Sequence, residues 1–371
     1  MMSDTTGSPG WYPDPWRVAA WRWWDGGMWT AQVHQGAERK PRLPAWLSPP
    51  IVAAAPFALL LTGFAAVNSP TALILGLVPL AIVLPTLMWL DSIEPEPRAA
   101  KLHAVLWGAT VAGVVAVIVN TLVALLTNLT LATVVSAPVV EEGMKGLGVY
   151  WALRRREIDG VMDGIIYAGL VALGFAVVED IFYFADAAGT GILVPVFILR
   201  ALLTPFAHPL FTSWIGLAIG LAVYRRQSVA INALWGFGLA FSTHAAWNGS
   251  LTYAAESGAT GALMVAAGCF VLLFLAAVIT VVRIRHTQQR EFTEVAPALA
   301  RRYGLSDDEA GVFRSWPQMR ATRRRLSGAE RARFDAIRAA LARLTMLHFR
   351  PGPTDPADEM RLAESLQSAR H

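Results

Sequence analysis

"SAPVVEEGMKGLGVYW", residues 136–151, reads as a membrane helix with two glutamates and a lysine set into it. A charged residue at the centre of a span costs roughly 2.5–3.5 kcal/mol, so Glu141, Glu142 and Lys145 demand a reason. The rest of the chain supports the membrane reading. It is 55% hydrophobic, only 16% charged, and has a mean hydropathy of +0.45. That balance is too apolar for an ordinary soluble protein.

Eight apolar stretches, near 50–67, 70–90, 102–126, 132–153, 161–184, 193–224, 229–251 and 258–282, are long enough to cross the bilayer. Each is near the 20 residues needed for about 30 Å of hydrocarbon. Basic residues alternate strictly between their ends. Arg39, Lys40 and Arg42 precede the first stretch, and Arg98 and Lys101 follow the second. Arg154, Arg155 and Arg156 follow the fourth, Arg225 and Arg226 the sixth, and Arg283 and Arg285 the eighth. The loops near 68–69, 127–131, 185–192 and 252–257 hold no Lys or Arg. Because cytoplasmic loops carry the excess of Lys and Arg, the pattern predicts eight spans with both termini in the cytoplasm. Nothing resembles a cleaved signal peptide, so the run from Ile51 is expected to be an uncleaved first span. The fold expected is an all-α polytopic protein of the cell membrane with about eight transmembrane helices, spanning 50–284. The single cysteine, Cys269, excludes an intrachain disulfide and a Cys-based metal site.

Soluble segments flank this domain. Residues 1–8 read as disordered. From Gly10, "GWYPDPWRVAAWRWWDGGMWTAQV" packs six tryptophans into 24 residues. Its Pro and Asp-Gly punctuation predicts a small β domain of three strands over 9–33. So short a domain needs its indoles as a core; a binding face for a peptide or a lipid headgroup is the competing reading. Residues 34–48 read as a Pro- and charge-rich linker. After the last span, 285–349 is expected to be a cytoplasmic helical region. Capping boxes at Ser306/Glu309 and Ser327/Glu330 mark two helix starts. Phe334, Ile337, Leu341 and Leu344 share one face of the second helix, an intramolecular packing stripe. The basic run Arg320–Arg325 fits a solvated face or contact with anionic lipid. Residues 350–371 read as a disordered tail.

The spans hold further polar residues: Asp163, Glu179 and Asp180 in the fifth, Arg200, His208 and Thr212 in the sixth, His244 and Asn248 in the seventh. One such residue is explained by a structural ion pair. For this many, the summed insertion cost favours a shared functional site. Glu141 and Lys145, His208 and Thr212, and His244 and Asn248 are each four apart, which puts both members on one helix face. Glu141, Glu142, Glu179 and His244 fall roughly 8–15 Å below the outer surface at 1.5 Å per residue. His208 joins them if the overlong sixth stretch breaks at Pro205 into an interfacial piece and a shorter span. Buried glutamate can act as a general base toward water, and neutral histidines can hold a divalent metal or position a water. Asn248 can orient a ligand or donate to an oxyanion. The set suits hydrolysis of an amide bond.

E-E-x-x-K (Glu141, Glu142, Lys145), F-x-x-x-E (Phe175, Glu179), H-P-x-x-T (His208, Thr212) and H-x-x-x-N (His244, Asn248), in that order, resemble the PrsW family of intramembrane proteases. "DSIEPEPR" before the third span is also similar to that family, as is the layout in the CAAX-processing and bacteriocin-processing membrane proteases. The resemblance implies a multi-pass endopeptidase that clips membrane-anchored proteins such as an anti-sigma factor. It implies Glu141, Glu142, Glu179, His208, His244 and Asn248 as the catalytic set, with His208 and His244 binding a water or a metal such as zinc. Lys145, Asp180, Thr212 and Arg200 support them. Glu142 is expected to be the general base with Glu141 oriented by Lys145, and the reverse assignment stays open, as does a metal-free route. Asp180 and Pro209 depart from the family pattern without removing a candidate side chain. The N-terminal stretch resembles a small actinobacterial domain of unknown function with a GWYPDP…WDG…WT pattern. Two other classes compete. A proton-coupled transporter would show internal repeats, and none is visible. A non-catalytic scaffold would lack some of the polar set. The partners expected are a membrane-anchored protein and the lipid bilayer, with no nucleic acid.

Overall fold

Backbone N–H and C=O groups in hydrocarbon must be satisfied within their own segment, so the apolar stretches fold as helices. The computed structural model describes residues 10–16, 18–19, 21–34, 44–349, 359, 362–366 and 369. The expected disordered stretch 1–8, most of the linker 34–48 and most of the tail 350–371 lie outside these residues. The chain divides into two compact units, Leu43–Arg290 and a second that joins Met1–Arg42 with Glu291–His371.

In the first unit the helices are α1 (Pro49–Asn68), α2 (Pro70–Leu90), α3 (Arg98–Leu126), α4 (Ala137–Arg154), α5 (Val161–Thr190), α6 (Leu193–Phe197), α7 (Ala207–Arg225), α8 (Val229–Ser257) and α9, which starts at Thr260 and ends at Arg302 in the second unit. Among the described residues, six helical stretches are long and apolar enough to cross a membrane: α1, α2, α3, α5, Leu193–Arg225 and α9. The expectation of eight is met in six by that measure. The two that fall short are α4 and α8. They are the helices that carry Glu141, Glu142 and Lys145, and His244 and Asn248.

The core is organised around α5, 83% of whose apolar window is buried. Without a hydrophobic driving force between helices, close packing requires small residues at the crossings. Gly164 and Gly216 supply one such crossing between α5 and α7. A Cβ on either would lie 2.1 Å from the other's carbonyl oxygen. Gly108 and Gly174 make the equivalent contact between α3 and α5, where a Cβ would lie 1.9–2.0 Å from a facing carbonyl. Around these crossings Trp107, Val149, Tyr167, Leu170, Leu173, Ile215 and Ile219 form one continuous buried cluster. In the "DSIEPEPR" loop between α2 and α3, Asp91, Ile93, Glu94 and Glu96 are buried. The Asp91 carboxylate accepts from Lys101 Nζ (2.5 Å) and from the Glu96 backbone N–H (2.9 Å), and the Tyr167 hydroxyl donates to Glu96 Oε2 (2.9 Å).

Two interruptions position the site. A π-helical turn, Ala132–Ser136, precedes α4. After α6 a second π turn, Ile198–Leu203, leads into a non-helical break at 204–206, and helix resumes at Ala207. The break falls where Pro205 predicts it.

In the second unit β1 (Gly10–Pro13), β2 (Trp21–Trp24) and β3 (Trp29–His34) form an antiparallel sheet in the order β1-β2-β3. Trp29 packs edge-on against Trp24 (5.2 Å) and Trp16 (6.4 Å). Buried Arg22 pairs with Asp14 at 2.9 Å and lies over Trp16. Burial raises the pKa of Asp14, but Arg22 and the backbone N–H groups of Ala19 and Trp16 outweigh it and hold that carboxyl below its usual value. The C-terminal helices are α10 (Asp307–Gly311), α11 (Trp316–Arg325) and α12 (Gly328–Phe349). The Ser306/Glu309 capping box is formed in both directions. α12 starts directly after Ser327, and Ile337, Leu341 and Leu344 are buried as the stripe predicts. Arg323 of the basic run makes a two-bond fork with Asp335 (2.7 and 2.8 Å).

Candidate active site

α4 delivers Glu141, Glu142 and Lys145 into the interior, all three buried. Glu142 is completely enclosed. Its Oε1 accepts from Lys145 Nζ (2.7 Å) and lies 2.9 Å from His244 Nδ1, and its Oε2 accepts from Thr212 Oγ1 (2.8 Å). Those partners come from α4, α7 and α8, so this one carboxylate ties three helices together. Lys145, equally buried, also reaches Glu141 Oε2 (3.5 Å) and His208 Nδ1 (3.2 Å), and its ammonium lies over the Phe175 ring (4.3 Å). The sequence pairs Lys145 with Glu141. In the structure it serves both glutamates and is closer to Glu142, whose carboxylate the Thr212 and His244 contacts draw inward.

Glu141 differs from its neighbour. Its Oε2 is buried and has no hydrogen-bond partner, yet it lies 3.9 Å from His244 Nε2. His244 stacks on Phe211 (4.9 Å), and the His208 ring approaches it edge-on at 5.5 Å. On the far side of His208, its Nε2 lies 2.6 Å from Glu179 Oε2. Arg200 closes that side: Nη2 donates to Glu179 Oε2 (2.6 Å), Nε donates to Asp180 Oδ1 (2.5 Å), and the guanidinium covers the Tyr183 ring at 3.9 Å. Asn248 lies one turn beyond His244, and its Nδ2 donates to the Thr133 carbonyl (3.0 Å) in the π turn before α4.

A cavity of about 470 Å³ opens onto this cluster, with Glu179, Asp180, Arg200, His208, His244 and Asn248 in its wall. Glu141, Glu142, Lys145 and Thr212 do not line it. All ten of the expected catalytic and supporting residues thus meet in one connected arrangement. Asp163 does not join them. It lies 16 residues before Glu179 on α5, about 24 Å along the helix, where its carboxylate accepts the N–H groups of Asp159 and Gly160 and caps α5.

The donor set fits a divalent metal. Glu141, His208 and His244 each present a ligand atom within 4.8 Å of the others, an O/N/N combination typical of zinc. The buried Glu141 Oε2 points to the same conclusion: it has no hydrogen bond, and its ion-pair partner Lys145 Nζ lies 3.5 Å away. So does the charge. Among the described residues, the cluster gathers four carboxyl groups, Glu141, Glu142, Glu179 and Asp180, around two cations, Lys145 and Arg200. His244 is also oriented as a metal-binding histidine usually is, with one ring nitrogen against a carboxylate and the other facing the site.

The profile of the PrsW family intramembrane metalloproteases matches residues 96–282. The chain belongs to that family. The match begins at the buried Glu96 of the "DSIEPEPR" loop and covers every residue of the cluster. A relative described as Protease PrsW, from Geobacillus kaustophilus (strain HTA426), is 32% identical over 138 residues. That alignment covers 36% of this chain and 59% of the relative. Residues 9–42 match a family described as a protein of unknown function, DUF2510. No solved structure matches the chain.

Four residues of the site were not singled out from sequence. Tyr183 is four residues after Glu179, so helical spacing alone could have placed it on the same face. Phe211 and Trp247 look like ordinary apolar span residues, and only the fold brings Phe211 onto His244 and Trp247 into the cavity wall. Thr133 has no local signal, because its carbonyl is offered to Asn248 across 115 positions of sequence.

Proposed function

We propose that this chain is a membrane-embedded peptidase that hydrolyses a peptide bond in a membrane-anchored protein. The observation that carries the reading is the buried Glu141 Oε2, without a hydrogen bond, facing His244 Nε2 beside His208. His208 and His244 would hold the metal the family implies, with Glu141 the nearest carboxylate. When bound, a divalent ion would polarise the scissile carbonyl and lower the pKa of a water.

The side chains then divide the work. With His208 and His244 holding the ion, Glu141, less committed than Glu142 to hydrogen bonds, takes the proton of the attacking water and returns it to the leaving amine. Glu142, its oxygens committed to Lys145, His244 and Thr212, holds His244 with Nε2 toward the site. This exchanges the roles expected of the two glutamates from sequence. Lys145 offsets the paired carboxylates and keeps them tolerable in the bilayer. Asn248, held by Thr133, forms the wall past which the peptide lies. The cavity between α5, the Arg200 segment, α7 and α8 receives the unwound substrate.

Within this proposal α4 and α8 also cross the bilayer, giving eight spans with both termini cytoplasmic in the cell membrane. Residues 50–284 then form the protease domain, with the Trp-rich domain at 9–33 and the helices of 285–349 in the cytoplasm. The substrate is a single-pass or otherwise anchored regulator of the anti-sigma-factor type. Comparing membrane-protein fragments in cells carrying the wild type and Glu141→Gln would identify it. Purified protein co-reconstituted with that substrate, tagged at both ends, should lose cleavage at least 100-fold in Glu141→Gln, His208→Ala and His244→Ala. Cleavage persisting in all three refutes the assignment.

A further inference from the structure

His208 is held from both sides, and the two contacts agree on where its proton lies. Glu179 Oε2 accepts from Arg200 Nη2 at 2.6 Å and also lies 2.6 Å from His208 Nε2. An oxygen that already takes a bond from a guanidinium, which has no acceptor, is a carboxylate oxygen with lone pairs to offer. The proton in the second contact therefore belongs to Nε2. On the other side Nδ1 lies 3.2 Å from Lys145 Nζ. An ammonium has only protons to give, so Nδ1 is the nitrogen with the lone pair. That nitrogen is on the Lys145 side, where Glu141 and Glu142 are also gathered.

We infer that Arg200 is a positioning residue that acts through Glu179: it fixes His208 as the Nε2–H tautomer and leaves Nδ1, on the Lys145 side, as that ring's electron-pair donor. The inference deepens the metallopeptidase reading and rests on it only for its consequence for metal binding. The clamp is built for rigidity. Arg200 spends Nη2 on Glu179 and Nε on Asp180, neighbours on α5, and its flat face covers Tyr183 one turn further on. A planar fork over an aromatic ring holds two carboxylates in one orientation, which a lysine cannot do. Asp180, a departure from the family pattern, supplies the second anchor. Arg200 itself comes from the π turn beside the helix break at 204–206, so the clamp also ties that segment to α5. The arrangement mirrors His244, where Glu142 holds Nδ1 and Nε2 faces the site. The two histidines would thus present opposite ring nitrogens, each set by its own carboxylate.

The test uses the full-length protein, metal-free, in lipid vesicles, with ¹⁵N-labelled histidine and solid-state NMR. Subtracting the spectrum of His208→Gln isolates the His208 signals. The wild type should show a single Nε2–H, Nδ1-unprotonated form. A Nδ1–H form overturns the inference, and this measurement needs no Arg200 variant to fold. In Arg200→Gln both tautomers should appear, and in Arg200→Lys an intermediate mixture; a spectrum unchanged in Arg200→Gln also overturns it. Zinc affinity, measured by competition with a chromophoric chelator, should fall about 10–100-fold in Arg200→Gln and recover in part in Arg200→Lys. Equal zinc affinity in the wild type and Arg200→Gln removes the positioning role. A wild type that shows the Nε2–H form but binds no zinc overturns the metal reading instead, and leaves the tautomer assignment standing.

Discussion

Glu141 and Glu142 are adjacent, both buried and chemically identical, yet the structure assigns them different liabilities. Glu142→Gln replaces a carboxylate that accepts three contacts with an amide that carries two unwanted donors. Lys145 Nζ at 2.7 Å and His244 Nδ1 at 2.9 Å both meet Oε1, and Thr212 meets Oε2. Removing one partner of a fully buried ion pair costs about 3–5 kcal/mol, because the remaining charge is left uncompensated. Lys145 keeps Glu141 at 3.5 Å, so a loss near 3 kcal/mol is expected. Glu141→Gln breaks no hydrogen bond at Oε2. It gives up the 3.5 Å ion pair with Lys145, but Lys145 keeps Glu142 at 2.7 Å, so the loss should be smaller than in Glu142→Gln. Its activity should fall by 10²–10⁴, the usual contribution of a general base. Thermal unfolding in detergent, followed by tryptophan emission, reads the first quantity; cleavage of an anchored substrate in vesicles reads the second. A Glu142→Gln protein as stable as the wild type beside a strongly destabilised Glu141→Gln protein would refute the division of roles.

Gly216→Ala would place a Cβ 2.1 Å from the Gly164 carbonyl oxygen, whereas Gly261→Ala meets nothing within 4 Å. The first should destabilise by about 1–3 kcal/mol as α5 and α7 separate, and the second by almost nothing, as thermal unfolding would show. Dialysis against a strong chelator should abolish cleavage, zinc should restore it, and His208→Ala and His244→Ala should each lower the zinc retained on purification, measured by elemental analysis. Asp14 has a folded pKa held below its unfolded value of about 3.9. Its contribution is therefore present above about pH 4 and lost as pH falls through the folded value. An N-terminal epitope on the full chain should resist limited proteolysis at pH 7 and be released faster near pH 3, and Asp14→Asn should remove most of that difference. Arg323→Ala breaks a fork with Asp335 on a half-exposed side chain and should cost less than about 1 kcal/mol in chemical denaturation.

Legibility differs from one part of the chain to another, for physical reasons. Long apolar runs and the Pro205 break were readable because bilayer thickness and proline geometry act locally on sequence. The Ser306 capping box was readable for the same reason, and Ser315, which caps α11 by accepting from the Gln318 N–H, carried a similar signal in Ser-Trp-Pro-Gln. The span count was less secure where apolarity is diluted, on α4 and α8, the helices that hold Glu141, Glu142, Lys145 and His244. Asp163 shows the opposite error. Its charge within an apolar stretch suggested the site, but its position at the first turn of α5 makes it a cap.

The sequence by itself determined which residues could afford to be polar in a membrane helix. Insertion cost makes each one conspicuous, and the four-residue spacing puts them on shared faces. Only the tertiary structure decided what each of them touches. Helix rotation and the glycine-lined crossings place Lys145 nearer Glu142 than Glu141, enclose one glutamate with three donors, and leave the other's Oε2 without a hydrogen bond beside His244. Those distances depend on contacts between residues 63–102 positions apart, such as Lys145 with His208 and Glu142 with His244, and no local pattern encodes them.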